Sequence, residues 1–269
     1  MIKFERLSGA FALGLLLCSM ATGQSQEPPR FSRDFCVKVR DGKGAEYAAF
    51  LRDVSVKLAK VRVDAGTMAS YTVAQAVAPA GRSARCDYHL VSIYAGFPPE
   101  APSPEQTAAD MKKAGIAMSR EAMIAKRDEL SFLVSMDIWR WQERVGTAGK
   151  GGYARLNYYK VKPGATVAEW SRMESTGWKQ LAEVLATEMP GTAWRSATLV
   201  MPGGTSLPYS GLTVDVFPSW EALGKGIPAR ATWNKVHPER DMAAYTERMA
   251  TIVDRPRTDI VKLIEVIGK

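Results

Sequence analysis

The sequence has little of what most metal and redox sites are built from. Two histidines leave scant material for a His-based metal centre, and three cysteines are too few for a disulfide-dense scaffold. There is no His-Glu-x-x-His, no Cys-x-x-Cys and no Gly-x-Ser-x-Gly nucleophile turn. Glycine is present at Gly42-Lys43-Gly44 and through 146–152, but without phosphate-loop spacing. No apolar run reaches the roughly 20 residues of a membrane span, which excludes a polytopic membrane protein. What is there is ordinary for a folded chain of 269 residues: 46% hydrophobic and 24% charged, against intrinsic disorder. The net charge of +8 is not gathered into a Lys/Arg cluster, so no nucleic-acid partner is expected.

Residues 1–23 read as a secretory signal peptide. Lys3 and Arg6 form a basic start, Gly9 to Ala21 an apolar run of 13 residues, and Ala21-Thr22-Gly23 the small residues of a cleavage site. An uncleaved anchor helix is the alternative. Lipidation is disfavoured because Cys18 follows Leu17, where a small residue belongs. Cleavage leaves an exported (periplasmic or secreted) chain with 34 basic and 27 acidic residues and no membrane attachment. It also leaves two cysteines, Cys36 and Cys86, a disulfide candidate in an oxidising compartment, with two separate thiols as the alternative. Residues 24–34 are expected to be a disordered lead-in.

The strongest signal is an internal repeat. Lys38-Val39-Arg40-Asp41-Gly42 recurs as Lys160-Val161-Lys162-Pro163-Gly164, and Ala45-Glu46-Tyr47 as Ala168-Glu169-Trp170. Leu58-Ala59-Lys60-Val61 matches Leu181-Ala182-Glu183-Val184, Pro79-Ala80-Gly81 matches Pro202-Gly203-Gly204, and Asp137-Ile138 matches Asp259-Ile260. The shift is 122 or 123 throughout, so the chain is a tandem duplication with units at 35–145 and 153–269 and a glycine-rich linker at 146–152.

Each unit shows the same element order. Strands are expected at 35–40, 68–78, 86–95 and 132–143, with an amphipathic helix over 45–62 and a helical region from the Ser103-Pro104-Glu105-Gln106 capping box to about Leu130. The second unit repeats this with strands at 153–162, 193–201, 212–217 and 258–267. Its helices are expected after Thr166, at 219–224, and from 230 to 253 with a break at Pro238.

The order β-α-β-β-α-β is the ferredoxin-like split unit, and two in tandem resemble a single-chain member of the dimeric α/β-barrel superfamily, with its antibiotic-biosynthesis-monooxygenase-like, EthD-like and NIPSNAP-like proteins. The resemblance implies an α+β fold in which two ferredoxin-like units form a pseudo-dimeric barrel, as a monomer or a homodimer. It implies a small apolar or aromatic ligand held between sheet and helices or inside the barrel. No catalytic motif carries over residue by residue. It also implies strand order 4-1-3-2, read here with strands one and three as parallel neighbours that bring the starts of both, Cys36 and Cys86, to one end of the sheet.

If the two cysteines face the helices, alternation turns His89, Arg155, Asn157 and Tyr159 toward a common cleft between the units. The competing reading is that these are interface residues with satisfied hydrogen bonds, or that the strand parity is off by one. His237, before Pro238 and one turn after Trp233, is either a ligand-facing group or a packed residue at a helix end. Trp139 and Trp141, on one strand face, either line a pocket or are strand packing. These features favour an exported small-ligand-binding protein with no cofactor and no metal. The alternatives are a cofactor-independent oxygenase, a haem-binding enzyme with His89 or His237 as axial ligand, and a non-catalytic interaction module.

Overall fold

The computed structural model describes residues 30–203 and 207–268. The expected leader and residues 24–29 of the expected lead-in lie outside them. Residues 30–34 are not a lead-in, because the first strand, β1, already begins at Arg30 and runs Arg30–Val39. It is followed by β2 (Ser70–Ala78), β3 (Tyr88–Ala95), β4 (Ser131–Gly146), β5 (Tyr153–Val161), β6 (Ala193–Met201), β7 (Gly211–Phe217) and β8 (Val253–Gly268).

The eight strands close into one barrel in the order β1-β3-β2-β8-β5-β7-β6-β4. Each half is a 4-1-3-2 sheet, and every neighbouring pair is antiparallel. The length of β4 and β8, 16 residues each, makes the closure possible. The first part of β4 pairs with β1 of its own unit and its last part, from Ile138 to Gly146, pairs with β6 of the other. β8 does the same with β5 and β2. Among the described residues no sheet edge is left open, so the fold completes within one chain what a pair of single units would otherwise share.

The helices pack on the outside of the barrel. Helix α1 spans residues 44–64 and helix α4 residues 167–188; each carries one π turn, at Leu51–Ser55 and Glu174–Trp178. The two π turns are 123 residues apart, so the duplication reproduces even this irregular turn. The first unit also has α2 (Pro104–Lys113) and α3 (Arg120–Leu130), separated where one continuous helical region was expected. The second has α5 (Trp220–Lys225), α6 (Ala229–Val236) and α7 (Met242–Ile252). No helix among the described residues is long and apolar enough to cross a membrane.

Cys36 and Cys86 are joined, with Cα atoms 5.2 Å apart. The topology differs from the expectation. β1 and β3 are antiparallel, so the end of β1, where Cys36 lies, meets the approach to β3, where Cys86 lies. The pairing is as expected, but the strand direction that brings it about is the opposite one.

Candidate functional site

Alternation along β1 decides which side chains can share a site. Asp34 lines the barrel lumen, whereas Phe35 and Val37 face the helices. Cys36 therefore points inward, opposite His89 on β3, and the expected parity is off by one. The physical reason is that both faces of this sheet are buried, one by the barrel and one by helices, so the alternation pattern lacks the polar face that would orient it.

The consequence is that the residues expected in one cleft occupy three places. Arg155, Asn157 and Tyr159 lie between the sheet and helices of the second unit. His89, Trp139 and Trp141 line the lumen. His237 is buried among helices, its Nε2 donating to the Gly177 carbonyl at 3.1 Å and its ring 4.4 Å from that of Trp233. It packs the loop after α6 against the π turn of α4.

The first of these places is a cavity of about 220 Å³. Its floor is built by β5 and β7, whose register puts Arg155 opposite Asp215 and Asn157 opposite Thr213. Arg155 Nε lies 2.9 Å from Asp215 Oδ2, and Asn157 Nδ2 donates to the same oxygen at 2.9 Å and to Thr213 Oγ1 at 3.2 Å. Thr258 donates in turn to Asn157 Oδ1 at 3.2 Å. Asp215 is thereby fixed as an acceptor at the cavity floor. Trp178, Leu181, Leu185 and Phe217 supply apolar walls.

The roof is the π turn of α4, which carries Glu174. This residue is 2% exposed and lines the cavity. Burial, followed by the charge of Asp215, pushes its carboxyl up to about 8, while the Trp170 indole pulls the other way. At neutral pH Glu174 is thus mostly a neutral acid that can donate a proton inside a partly apolar cavity, and its ionised minority can take one up. Tyr159 beside it is also pushed up, first by burial and then by Glu174. A π turn adds a residue to one helical turn, and such insertions are frequent where a side chain must be presented to a site.

The sequence reading missed Glu174. A signal was available: the inward stripe of α4 runs Trp170, Glu174, Leu181, Leu185, and a carboxylate on an apolar stripe is out of place. The repeat gives a second signal, since Leu51 occupies its position in the first unit.

In the lumen, His89 Nδ1 lies 3.0 Å from Asp34 Oδ2. Burial lowers the imidazolium, but the charge and hydrogen bond of Asp34 outweigh it and the net direction is upward. Trp139 is 1% exposed and packs with Tyr158 and Tyr209, so it is core and lumen wall at once. Among the described residues no group of three or more metal-ligating side chains occurs.

No protein family matches this sequence. No curated protein matches it either. Solved structures do. A candidate monooxygenase from Fusobacterium nucleatum is similar over 90% of this chain and 95% of its own, with 10% identity and a TM-score of 0.53. A haem-binding protein from Thermus thermophilus covers 89% and 94% at 10% identity, TM-score 0.47. A candidate Dyp-type peroxidase from Shewanella oneidensis covers 90% and 94% at 10% identity, TM-score 0.47. At this identity the likeness is one of fold: an α+β dimeric α/β barrel of two ferredoxin-like units.

Proposed function

We propose that the protein is a cofactor-independent enzyme of the oxygenase type, which binds a small apolar or aromatic molecule in the cavity of the second unit. Glu174 exchanges a proton with it. The observation that carries this reading is the placement of Glu174, buried in the lining of a cavity that also holds Asp215, an environment that pushes its carboxyl up to about 8. A general acid–base group works best with a pKa near the working pH, and removing one costs typically 10²- to 10⁴-fold in rate. The Arg155–Asp215–Asn157 cluster orients the polar end of the ligand, and Trp178 and Phe217 hold its ring or chain.

A haem fits this cavity poorly. Neither histidine lines it, and Tyr159, which does, has its phenol pushed up by burial, away from the phenolate an iron would take. Export with residues 1–23 as leader belongs to the same proposal, supported by the Cys36–Cys86 bond.

The test is infrared difference spectroscopy of wild type and Glu174→Gln across pH 5 to 10. It should show a protonated carboxyl band at pH 7 that titrates near 8 and is missing in the variant. A parallel screen measures deuterium incorporation from heavy water into ketones and phenols with slow C–H exchange. At least one should exchange faster with wild type than with buffer, and at least a hundredfold slower with Glu174→Gln. An ordinary carboxylate titration, or exchange indifferent to Glu174, would sink the enzymatic reading and leave ligand binding without catalysis.

A further inference from the structure

The barrel lumen holds a second feature that the acid–base cavity does not use. Four side chains lining it carry buried hydrogen-bond donors with no partner among the described residues: Ser32 Oγ, Trp139 Nε1, Trp141 Nε1 and Arg195 Nε. Three of these can only donate, and buried donors are usually paired. Arg195 is half-buried, and its Nε has no partner among the described residues. Its cross-strand partner on β4 is Arg144, and Arg30 opens β1 at the same end of the barrel. Burial first, then the charges of Arg144 and Arg30, hold Arg195 down to about 10. Asp34, the carboxylate among the side chains lining this cavity, is engaged by His89 at 3.0 Å, and the neighbouring buried carboxylates Asp137 and Asp259 are held by Tyr209 and Arg257. The orphaned donors, together with the charge of Arg195 itself, call for an acceptor-only group with negative charge. The remaining lining is apolar, with Val91, Leu156, Val214 and Leu263.

We propose that this end of the barrel binds a short-chain organic carboxylate, its headgroup on Arg195 and Trp141 and its apolar tail in the lumen. Arginine suits the head because its planar fork matches a carboxylate. The open lumen of about 70 Å³ sets the tail length. At roughly 10 to 15 Å³ of such space per water it has room for about five waters, or a chain of about four carbons. This site is on the opposite face of the sheet from Glu174, so its occupancy is independent of the proposed reaction.

The experiment is calorimetric titration of the whole exported chain with butyrate, 1-butanol and inorganic phosphate at fixed ionic strength. Wild type should bind butyrate at least tenfold more tightly than butanol, which has the tail without the charge, and than phosphate, which has charge without the tail. Arg195→Met should weaken butyrate at least tenfold while leaving butanol within twofold. Trp141→Phe keeps an aromatic ring at this position but removes the indole N–H together with the five-membered ring that carries it, and should weaken butyrate severalfold while leaving butanol within twofold. It also stands in should Arg195→Met not fold. Glu174→Gln should bind butyrate as wild type does, which separates this site from the acid–base cavity. No butyrate binding, equal binding of phosphate, or butyrate affinity unchanged in both lumen variants would each overturn the proposal.

Discussion

The two units share a scaffold and exchange the polarity of its faces. Beneath the helices of the first unit stand Phe35, Leu51 and Leu90; at the equivalent positions of the second stand Asn157, Glu174 and Thr213. Inside the barrel the inversion runs the other way. Asp34 and His89 of the first unit correspond to Leu156 and Leu212 of the second, both in the apolar cluster that lines the lumen. A cavity exists under the helices of both units, about 390 Å³ in the first and about 220 Å³ in the second, so size does not single out the second. Only the second carries a titratable group whose environment sets it near neutrality. One duplicated framework has thus placed polar groups on opposite faces of its two copies, and each copy buries an apolar face where the other is polar.

Smaller exchanges follow the same logic. The Cys36–Cys86 bond of the first unit has as its counterpart the Tyr158–Tyr209 ring pair of the second, with centroids 4.9 Å apart. Tyr47 and Tyr88 pack edge to face in the first; Trp170 and Gly211 take their places in the second. The larger ring of Trp170 is accommodated because Gly211 has no side chain: a Cβ there would lie 2.6 Å from the ring.

The largest test of the comparison removes the buried acid. A carboxyl whose folded pKa is raised from 4.5 to about 8 binds its proton more tightly in the folded state. Its cost is therefore absent below pH 4.5, grows as pH rises toward 8 and is constant above it. Glu174→Leu, which installs the first unit's residue, should match or modestly exceed wild type in stability at pH 4. At pH 9 it should be more stable by roughly 3 to 5 kcal/mol, read from thermal or urea unfolding at both pH values. An equal difference at both would mean that the carboxyl is not held neutral.

Next in size is the covalent staple. Replacing both Cys36 and Cys86 by Ala should cost roughly 2 to 4 kcal/mol, given the 50-residue separation they close. Tyr209→Leu in the second unit should cost less, about 1 to 2 kcal/mol beyond lost area, since a ring pair and its hydrogen bond to Asp137 replace a bond. If the tyrosine change proves the costlier, the two staples are not equivalent.

Gly211→Ala should destabilise by roughly 1 to 3 kcal/mol through overpacking against Trp170. The double change Gly211→Ala with Trp170→Tyr, which moves the pair toward the first unit, should recover part of the loss in the same unfolding assay.

The smallest effect is expected at the lumen dyad. The His89 pKa is raised in the fold, so its contribution is complete below about 6.5 and is lost as pH rises through the folded value. His89→Gln should cost about 1 kcal/mol at pH 5.5 and less at pH 9. A cost that grows with pH would contradict the Asp34–His89 pairing.

Much of this architecture could be read from the residues. The 122- to 123-residue repeat and the strand and helix order needed only local pattern, because periodicity and duplication are properties of the chain itself; the pairing of Cys36 with Cys86 was expected from an even pair in an oxidising compartment, although the strand direction that joins them was read the wrong way. Which face of each strand looks into the barrel was not written there. Alternation groups Asp34 with Cys36 and Phe35 with Val37, but with both faces covered nothing local says which group is inside. That choice moved Arg155, Asn157 and Tyr159 away from His89. It also let the fold bring Glu174, seventeen residues from Asn157, to the roof of the same cavity as Asp215. The shift of Glu174 is likewise tertiary in origin: a carboxyl titrates near neutrality only when distant parts of the chain exclude water from it and set a second negative charge beside it.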